Sequence, residues 1–252
     1  MITFSLQSGS NGNSIYVEAN GVRLLFDAGI SGKQVRQRLA VHRRDPHGLS
    51  GLLLSHGHAD HIGCVGVQHR LFKVPVFATP ATHRAIMETC GPVPVCEIQP
   101  GQPLAFDGVT VHTIPTPHDA PESVAFVVEC EGKRLGIFTD LGHPFAALAR
   151  TLCELDAAYL ESNYDPRMLA ESGYPSWLQA RIRGNGGHLS NGEAAELLMR
   201  CGRRRPKWVA LAHLSEKNNH PDLALQTHRT LLGRDYPLTV ASRYAVSPIF
   251  EL

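Results

Sequence analysis

Ser55-His56-Gly57-His58-Ala59-Asp60-His61 decides the reading of this chain. Four metal-ligating side chains occupy positions 56–61. They follow Gly51-Leu52-Leu53-Leu54, a short apolar run that reads as a buried strand ending at His56. His56 and His58 are two apart, so on extended chain they project to one side. Asp60 and His61 fall where the chain turns into a helix starting near Asp60, so one loop offers donors to two neighbouring ions. The pattern differs from H-E-x-x-H, in which two histidines share a helical face. Imidazole mixed with carboxylate suits Zn, Mn or Fe and argues against an all-oxygen Ca or Mg site.

Around this loop the chain alternates strands and helices. Residues 2–8 and 14–19 read as strands flanking a Gly/Asn/Ser turn. Residues 22–29 give a third strand ending at Asp27, and residues 32–44 a helix. In the second half VTVHTIP, SVAFVVEC and KRLGIFTD are successive strands, followed by a helix, the strand LDAAYLES, helices, the strand WVALAHL, a helix and final strands. Ser190-Asn191-Gly192-Glu193 is a capping box, and Ala194, Leu197, Leu198 and Cys201 follow at helical spacing. Strands followed by helices in both halves predict an α/β protein, an αββα sandwich of two mixed sheets with helices outside.

The composition agrees. The chain has 252 residues, 43% hydrophobic and 19% charged, which suits one large soluble domain over residues 1–252. No apolar run approaches the roughly 18 residues of a membrane span, so no membrane association is expected. The N-terminus reads as a strand and not a signal peptide, which places the protein in the cytoplasm. The six cysteines form no C-x-x-C pair and read as free thiols. A net charge of +1 leaves any contact with a polyanion to be local. The two basic clusters, Arg36/Arg38/Arg43/Arg44 and Arg203/Arg204/Arg205/Lys207, read as solvated surface.

H-x-H-x-D-H after a short apolar strand resembles the signature of the metallo-β-lactamase superfamily, and further positions follow in order: Asp27, His118 in PTPHDA, Asp140 in GIFTDLG and His213 in VALAHLS. The resemblance implies two divalent transition-metal ions, Zn or Mn with Fe compatible. One is held by His56, His58 and His118, the other by Asp60, His61 and His213, with Asp140 bridging. It implies for Asp27 the part of orienting a ligand histidine. The segments SGSNGNS, SHGHADH, FTDLG, ESNYD, GHLSN and LAHLSEKNN resemble the WalJ/YycJ family, associated with 5′-to-3′ exonuclease activity on DNA and in some bacteria with mismatch repair. Tyr164 departs from the histidine expected in the ESNHD form of one motif.

A more distant resemblance, to transfer-RNA 3′-processing ribonucleases of this fold, implies that His188 is a general acid held by Glu161. The residues expected to carry the chemistry are therefore His188, Glu161 and Asp60. Ser190 and Asn191 are candidates for phosphate contact at the helix N-terminus, although capping by itself accounts equally well for Ser190. The turn at Ser10, Asn11, Asn13 and Ser14 either lines the cleft or is a plain hairpin turn. The implied activity is that of a dinuclear phosphodiesterase with nucleic acid, chiefly DNA, as substrate. The alternative is a thioester or lactone hydrolase of glyoxalase type, which needs the metals but no phosphate-binding helix start. A di-iron oxygen or nitric-oxide reductase would carry glutamate where His58 stands, and a β-CASP nuclease would need an inserted domain for which this length has no room.

Overall fold

The computed structural model describes residues 1–252. The strands are β1 (Ile2–Gln7), β2 (Ser14–Ala19), β3 (Val22–Phe26), β4 (Gly51–Leu53), β5 (Val76–Ala78), β6 (Val95–Glu97), β7 (Leu104–Phe106), β8 (Val109–Pro115), β9 (Val124–Cys130), β10 (Lys133–Phe138), β11 (Ala157–Glu161), β12 (Trp208–Ala212), β13 (Leu238–Val240) and β14 (Phe250–Glu251). The helices are α1 (Gly32–Val41), α2 (Ala59–Ile62), α3 (Val65–Phe72), α4 (Pro80–Cys90), α5 (Ala146–Leu152), α6 (Pro166–Glu171), α7 (Ser176–Arg183), α8 (Asn191–Arg200) and α9 (Pro221–Leu232).

Each half of the chain builds a seven-stranded sheet, ordered β14-β1-β2-β3-β4-β5-β6 and β13-β12-β11-β10-β9-β8-β7. Both begin as antiparallel meanders and become parallel, from β3 onward in the first and from β10 onward in the second. The switch follows from the connections: tight turns join the meander strands, whereas a parallel neighbour requires a crossover.

The period-two alternation of each strand divides its side chains between two cores. Along β9, Val124, Phe126 and Val128 enter the layer between the sheets, while Ala125 and Val127 face the outer helices. The inter-sheet layer packs Ile15, Val17, Leu24 and Phe26 against Val111, Phe126, Val128 and Tyr159, with the rings of Phe26 and Phe126 5.1 Å apart. On the outside, Val35, Leu39, Val65, Phe72 and Ile86 of α1, α3 and α4 cover the first sheet. Leu148, Leu152, Ala194, Leu198 and Ala224 of α5, α8 and α9 cover the second. The result is the αββα sandwich expected from the sequence.

Two features depart from expectation. Residues 73–108, left without elements by the sequence reading, contain α4 and three strands of three residues each, too short for a period to show. Cys153 and Cys201 are not free thiols but a disulfide across 48 residues of sequence. Both lie at helix C-termini, as the C-cap residues of α5 and α8, whose packing sets their Cα atoms 5.0 Å apart. Only tertiary structure reveals such a pairing. Thiol titration of the unfolded, unreduced protein should therefore count the four remaining cysteines, Cys64, Cys90, Cys96 and Cys130. A count of six would remove the bond. Closing a loop of this length constrains the unfolded chain by about 3–5 kcal/mol, so Cys153→Ser should lower the urea midpoint.

Candidate metal centre

All the side chains singled out by the ordered motifs hang from the C-terminal ends of strands or from the loops that follow them. Asp27 follows β3, His56 to His61 follow β4, His118 follows β8, Asp140 follows β10, Glu161 ends β11 and His213 follows β12. Three of them, Asp27 (φ 65°), Asp140 (φ 55°) and His213 (φ 53°), have left-handed backbone. Such strain costs of order 1–3 kcal/mol per residue and persists only where the surroundings over-determine it. Here it turns the side chain out of the strand direction at the point where the sheet ends.

The histidine loop is clamped from below. Ala28 N–H donates to His61 O (2.6 Å) and Asn13 N–H to Asp60 O (2.9 Å). Gly29 packs so close that a Cβ there would lie 1.7 Å from the Asp60 carbonyl oxygen, so no other residue fits without moving the loop.

Two groups of donors result. In one, His58 Nδ1 lies 3.1 Å from His56 Nε2 and 3.2 Å from His118 Nε2. In the other, Asp60 Oδ2 lies 3.5 Å from His61 Nε2 and 3.3 Å from His213 Nε2. Asp140 stands between them, with Oδ2 3.1 Å from His61 Nε2 and Oδ1 3.7 Å from His118 Nε2. Within each group the donor atoms lie within 4.8 Å of one another.

The outer ring nitrogens find partners that leave the inner lone pairs free. His61 Nδ1–H donates to Asp27 Oδ2 (2.8 Å), and Asp27 Oδ1 accepts from the Ser55 amide (2.9 Å). His56 Nδ1–H donates to Ser55 Oγ (3.0 Å), whose own proton goes to Asp27 (2.9 Å). His118 Nδ1–H donates to Gly187 O (3.0 Å). Rings fixed in this way converge acceptor on acceptor, an arrangement that requires cations.

Charge leads to the same conclusion. Asp27, Asp60, Asp140 and Glu161 gather here, three of them with side chains no more than 5% exposed, and histidines are their only ionic partners. Buried charges are paired or bind metal. Asp140 Oδ2 makes no hydrogen bond at all, although His61 Nε2 lies 3.1 Å away. Burial would raise the Asp140 carboxyl, but the imidazoles of His213, His61 and His56 hold it well below the usual carboxylate range. Burial would lower His213, yet Asp140, Asp60 and Glu161 outweigh it and push that imidazole up to about 10. His61 is raised for the same reason, against its burial, by Asp140, Asp27 and Asp60. The donor set therefore fits divalent cations, which would take the place of those protons.

Beside the donors, His188 Nδ1–H donates to Glu161 Oε1 (2.7 Å). Glu161 is fully buried and its Oε2 accepts from the amides of Leu141 (2.9 Å) and Leu189 (3.3 Å). Burial would raise its carboxyl, but the imidazoles of His188 and His213 bring it down to about 2. His188 keeps 21% of its side chain exposed and lines a cavity of about 250 Å³ together with His58, Asp60, His118, Asp140 and His213. The strand end and the loop are tied by Asn163 N–H to Leu189 O and Asn191 N–H to Tyr164 O, both 2.9 Å. Tyr164, where a histidine was expected, is buried and supports this junction through its backbone.

The structure does not bring Ser190 and Asn191 into the cavity. Ser190 Oγ accepts from the Glu193 amide (3.2 Å) and donates to Glu193 Oε2 (2.7 Å), so capping uses it fully. Asn191 is buried, bonded to Ser162 and Asn219. Conversely, the sequence reading passed over Asp119, Arg181 and the α7 wall. Asp119 Oδ1 lies 3.5 Å from both His58 and His118 Nε2, and its Oδ2 accepts from Arg181 Nε at 2.7 Å. Asp119 adjoins His118 in the sequence, the one signal that might have found it. Asn13, in the turn expected either to line the cleft or to be a plain hairpin, donates from Nδ2 to Asp60 Oδ2 (3.3 Å) and lies 3.0 Å from His61 Nε2.

Residues 22–213 match the family described as Beta-lactamase superfamily domain, so the fold and donor cluster belong to that class, with a divalent-metal site. Within it the chain belongs to the family of the exodeoxyribonucleases WalJ and YycJ. It is 33% identical to Exodeoxyribonuclease WalJ of Streptococcus pneumoniae, covering 98% of this chain and 96% of that one. To Exodeoxyribonuclease YycJ of Bacillus anthracis it is 32% identical over 87% of this chain and 84% of that one. Among solved structures, the metallo-β-lactamase fold protein YhfI of Bacillus subtilis superposes with a TM-score of 0.74 at 16% identity, covering 98% of both chains. Human tRNase Z, short form, does so with a TM-score of 0.67 at 14% identity over all of both chains. No helix is long and apolar enough to cross a membrane. Fold, donors and family together make the chain a metal-dependent hydrolase.

Because Asp140 touches both donor groups, Asp140→Ala should abolish stoichiometric metal uptake and nearly all activity. Asp27→Ala should weaken metal affinity by about 10–100-fold, since Asp27 acts through His61. Elemental analysis settles both, and full occupancy in the Asp140 variant would refute the bridging arrangement.

Proposed function

We propose that the chain is a metal-dependent exodeoxyribonuclease that releases nucleotides from DNA 5′ ends using two divalent transition-metal ions, Zn or Mn, with Fe compatible with the same donors. His56, His58 and His118 would hold one ion, Asp60, His61 and His213 the other, and Asp140 both. When bound, such ions acidify water and neutralise phosphate oxygens. The observation that carries the reading is the His188–Glu161 pair, which borders the metal cavity outside the seven donors assigned to the two ions. The names of the relatives support the choice of DNA.

The protein's own part in the reaction follows from that pair. Glu161, fixed by two backbone amides, can accept only from the outer nitrogen of His188, so the inner nitrogen faces the cavity and carries the exchangeable proton. The phosphodiester leaving group is a sugar oxygen that departs poorly without a proton, and His188 supplies it. Asp60 combines the roles of metal donor and cavity wall. The chain would act as one domain over residues 1–252 without a β-CASP insertion, leaving the cavity open to a strand end. Its volume of about 250 Å³, below the roughly 300–1,000 Å³ of sites for drug-sized ligands, is in keeping with a single phosphodiester unit.

His188→Ala should keep the fold and the metals and lose about 10²–10⁴-fold in rate on 5′-labelled DNA. Bis-p-nitrophenyl phosphate, whose leaving group needs no proton, should lose far less. Glu161→Gln should show the same selectivity more weakly. Equal losses on both substrates would withdraw the proton-donor role. Thioester or lactone turnover with no release of nucleotides under either metal would replace the nuclease reading by that of a thioester or lactone hydrolase.

A further inference from the structure

Beyond the metal donors, the cavity wall carries features that neither metal binding nor proton transfer uses. Tyr174, just before α7, lines the metal cavity, and Lys217 Nζ sits 5.6 Å from its ring centre. Past Ser215 lies a second cavity of about 500 Å³, and Ser215 belongs to the walls of both. Tyr244 rims that second cavity with 67% of its surface exposed, and the guanidinium of Arg243 lies 6.0 Å from its ring centre.

The Tyr244 ring is tethered through its hydroxyl, and the backbone that carries Tyr174 is fixed by hydrogen bonds. The Tyr244 hydroxyl donates to Glu216 Oε1 at 2.6 Å. Arg243 is nine-tenths buried and donates to Leu214 O (3.0 Å) and to Ser10 Oγ (3.4 Å). Ser10 itself lines the metal cavity. On the other side, the Tyr174 carbonyl accepts from Gln179 Nε2 (3.0 Å) and its amide donates to Ser172 Oγ (3.2 Å). One loop serves both platforms: directly after His213, Ser215 forms the shared wall, Glu216 tethers Tyr244, and Lys217 covers Tyr174.

We propose that Tyr174 and Tyr244 are base-stacking platforms on either side of the metal cavity, holding the unpaired bases that flank the scissile phosphate of a single strand. The proposal rests on the nuclease reading above and adds the path of the strand. Every base has a π face, so stacking on fixed aromatic rings grips a strand without regard to sequence. The cation over one face of each ring, Lys217 at Tyr174 and Arg243 at Tyr244, adds attraction for the neighbouring phosphates. Arg181, the one lysine or arginine in the wall of the metal cavity, extends the same positive track. The net charge of the chain conceals this track because it is confined to a few side chains around an acidic cavity.

The test is binding by the metal-loaded protein to a fluorescein-labelled, cleavage-resistant phosphorothioate oligothymidylate, followed by anisotropy. Tyr174→Ala and Tyr244→Ala should each raise Kd by about 5–150-fold. Tyr174→Phe, which keeps the ring and every contact described, should bind as the wild type does, whereas Tyr244→Phe, which keeps the ring but loses its tether to Glu216, should fall between the wild type and Tyr244→Ala. With a base-free strand of the same length, wild type and alanine variants should bind alike, an equality that a merely structural role would not produce. Unaltered Kd in the alanine variants, equal losses on the base-free strand, or no binding by the wild type would each overturn the platforms. Failure of the wild type to degrade DNA while the binding pattern holds would instead overturn the nuclease reading alone.

Discussion

Four carboxylates gathered at one end of a β-sandwich, with no lysine or arginine among them, are the constraint on which this structure turns. Histidines alone cannot satisfy them. Every ring proton that would neutralise a carboxylate also removes a lone pair from the inner face, where seven donor side chains already converge. Burying unpaired charge costs several kcal/mol per ion even after relaxation. The arrangement becomes stable when cations occupy the centre, and it explains why Asp140 can keep an oxygen without a hydrogen bond in the interior of the protein.

The sandwich supplies this geometry because both sheets change from antiparallel to parallel, and the parallel strands of each end at the same edge. Side chains at strand C-termini then face each other across the inter-sheet core. Strand geometry alone would point successive residues up and down. The left-handed backbone at Asp27, Asp140 and His213 breaks that alternation once per strand and delivers three side chains inward. Two of the bends are anchored at their own amides: the Asp27 amide donates to Leu53 O (2.9 Å), and the His213 amide donates to Ser8 Oγ (2.8 Å). Strain is thus stored where a packed core on both sides can hold it.

The metal donors were legible in the sequence because their chemistry is local: a histidine loop after a buried strand, then single acidic or imidazole residues at the ends of apolar runs. The His188–Glu161 contact was implied by the resemblance to transfer-RNA 3′-processing ribonucleases, and the strand end and capped helix start only gave the two residues their places. The resemblance to known families assigned the separate pieces to one centre. Other features were illegible where meaning depends on neighbours distant in sequence. Ser190 and Asn191 stand at a helix start that looks suited to phosphate, yet Glu193 and Asn219 occupy their polar atoms. Arg181 resembles any surface arginine until α7 lies over the cavity and Asp119 meets it. The Cys153–Cys201 pair follows no spacing rule because two helix ends, not a local motif, bring it together.

The excursion between β11 and His188 shows how the same constraint separates chemistry from recognition. The chain leaves the sheet at Glu161 and returns 27 positions later to bond it. Within that span α7 buries none of its side chains. It is held by the Arg181–Asp119 pair, whose contribution at the surface is about 0–1 kcal/mol, and by backbone bonds from His188 to Ile182 O (3.0 Å) and from Gly187 to Gly184 O (2.8 Å). At Gly187 a Cβ would meet Ile182 O at 2.1 Å, so the return path is fixed even though the helix is not packed. His188, the proposed general acid, is therefore positioned by the rigid end of the excursion. The wall that meets the substrate is built from its exposed part, whose surface can vary with little effect on the core or the metal donors.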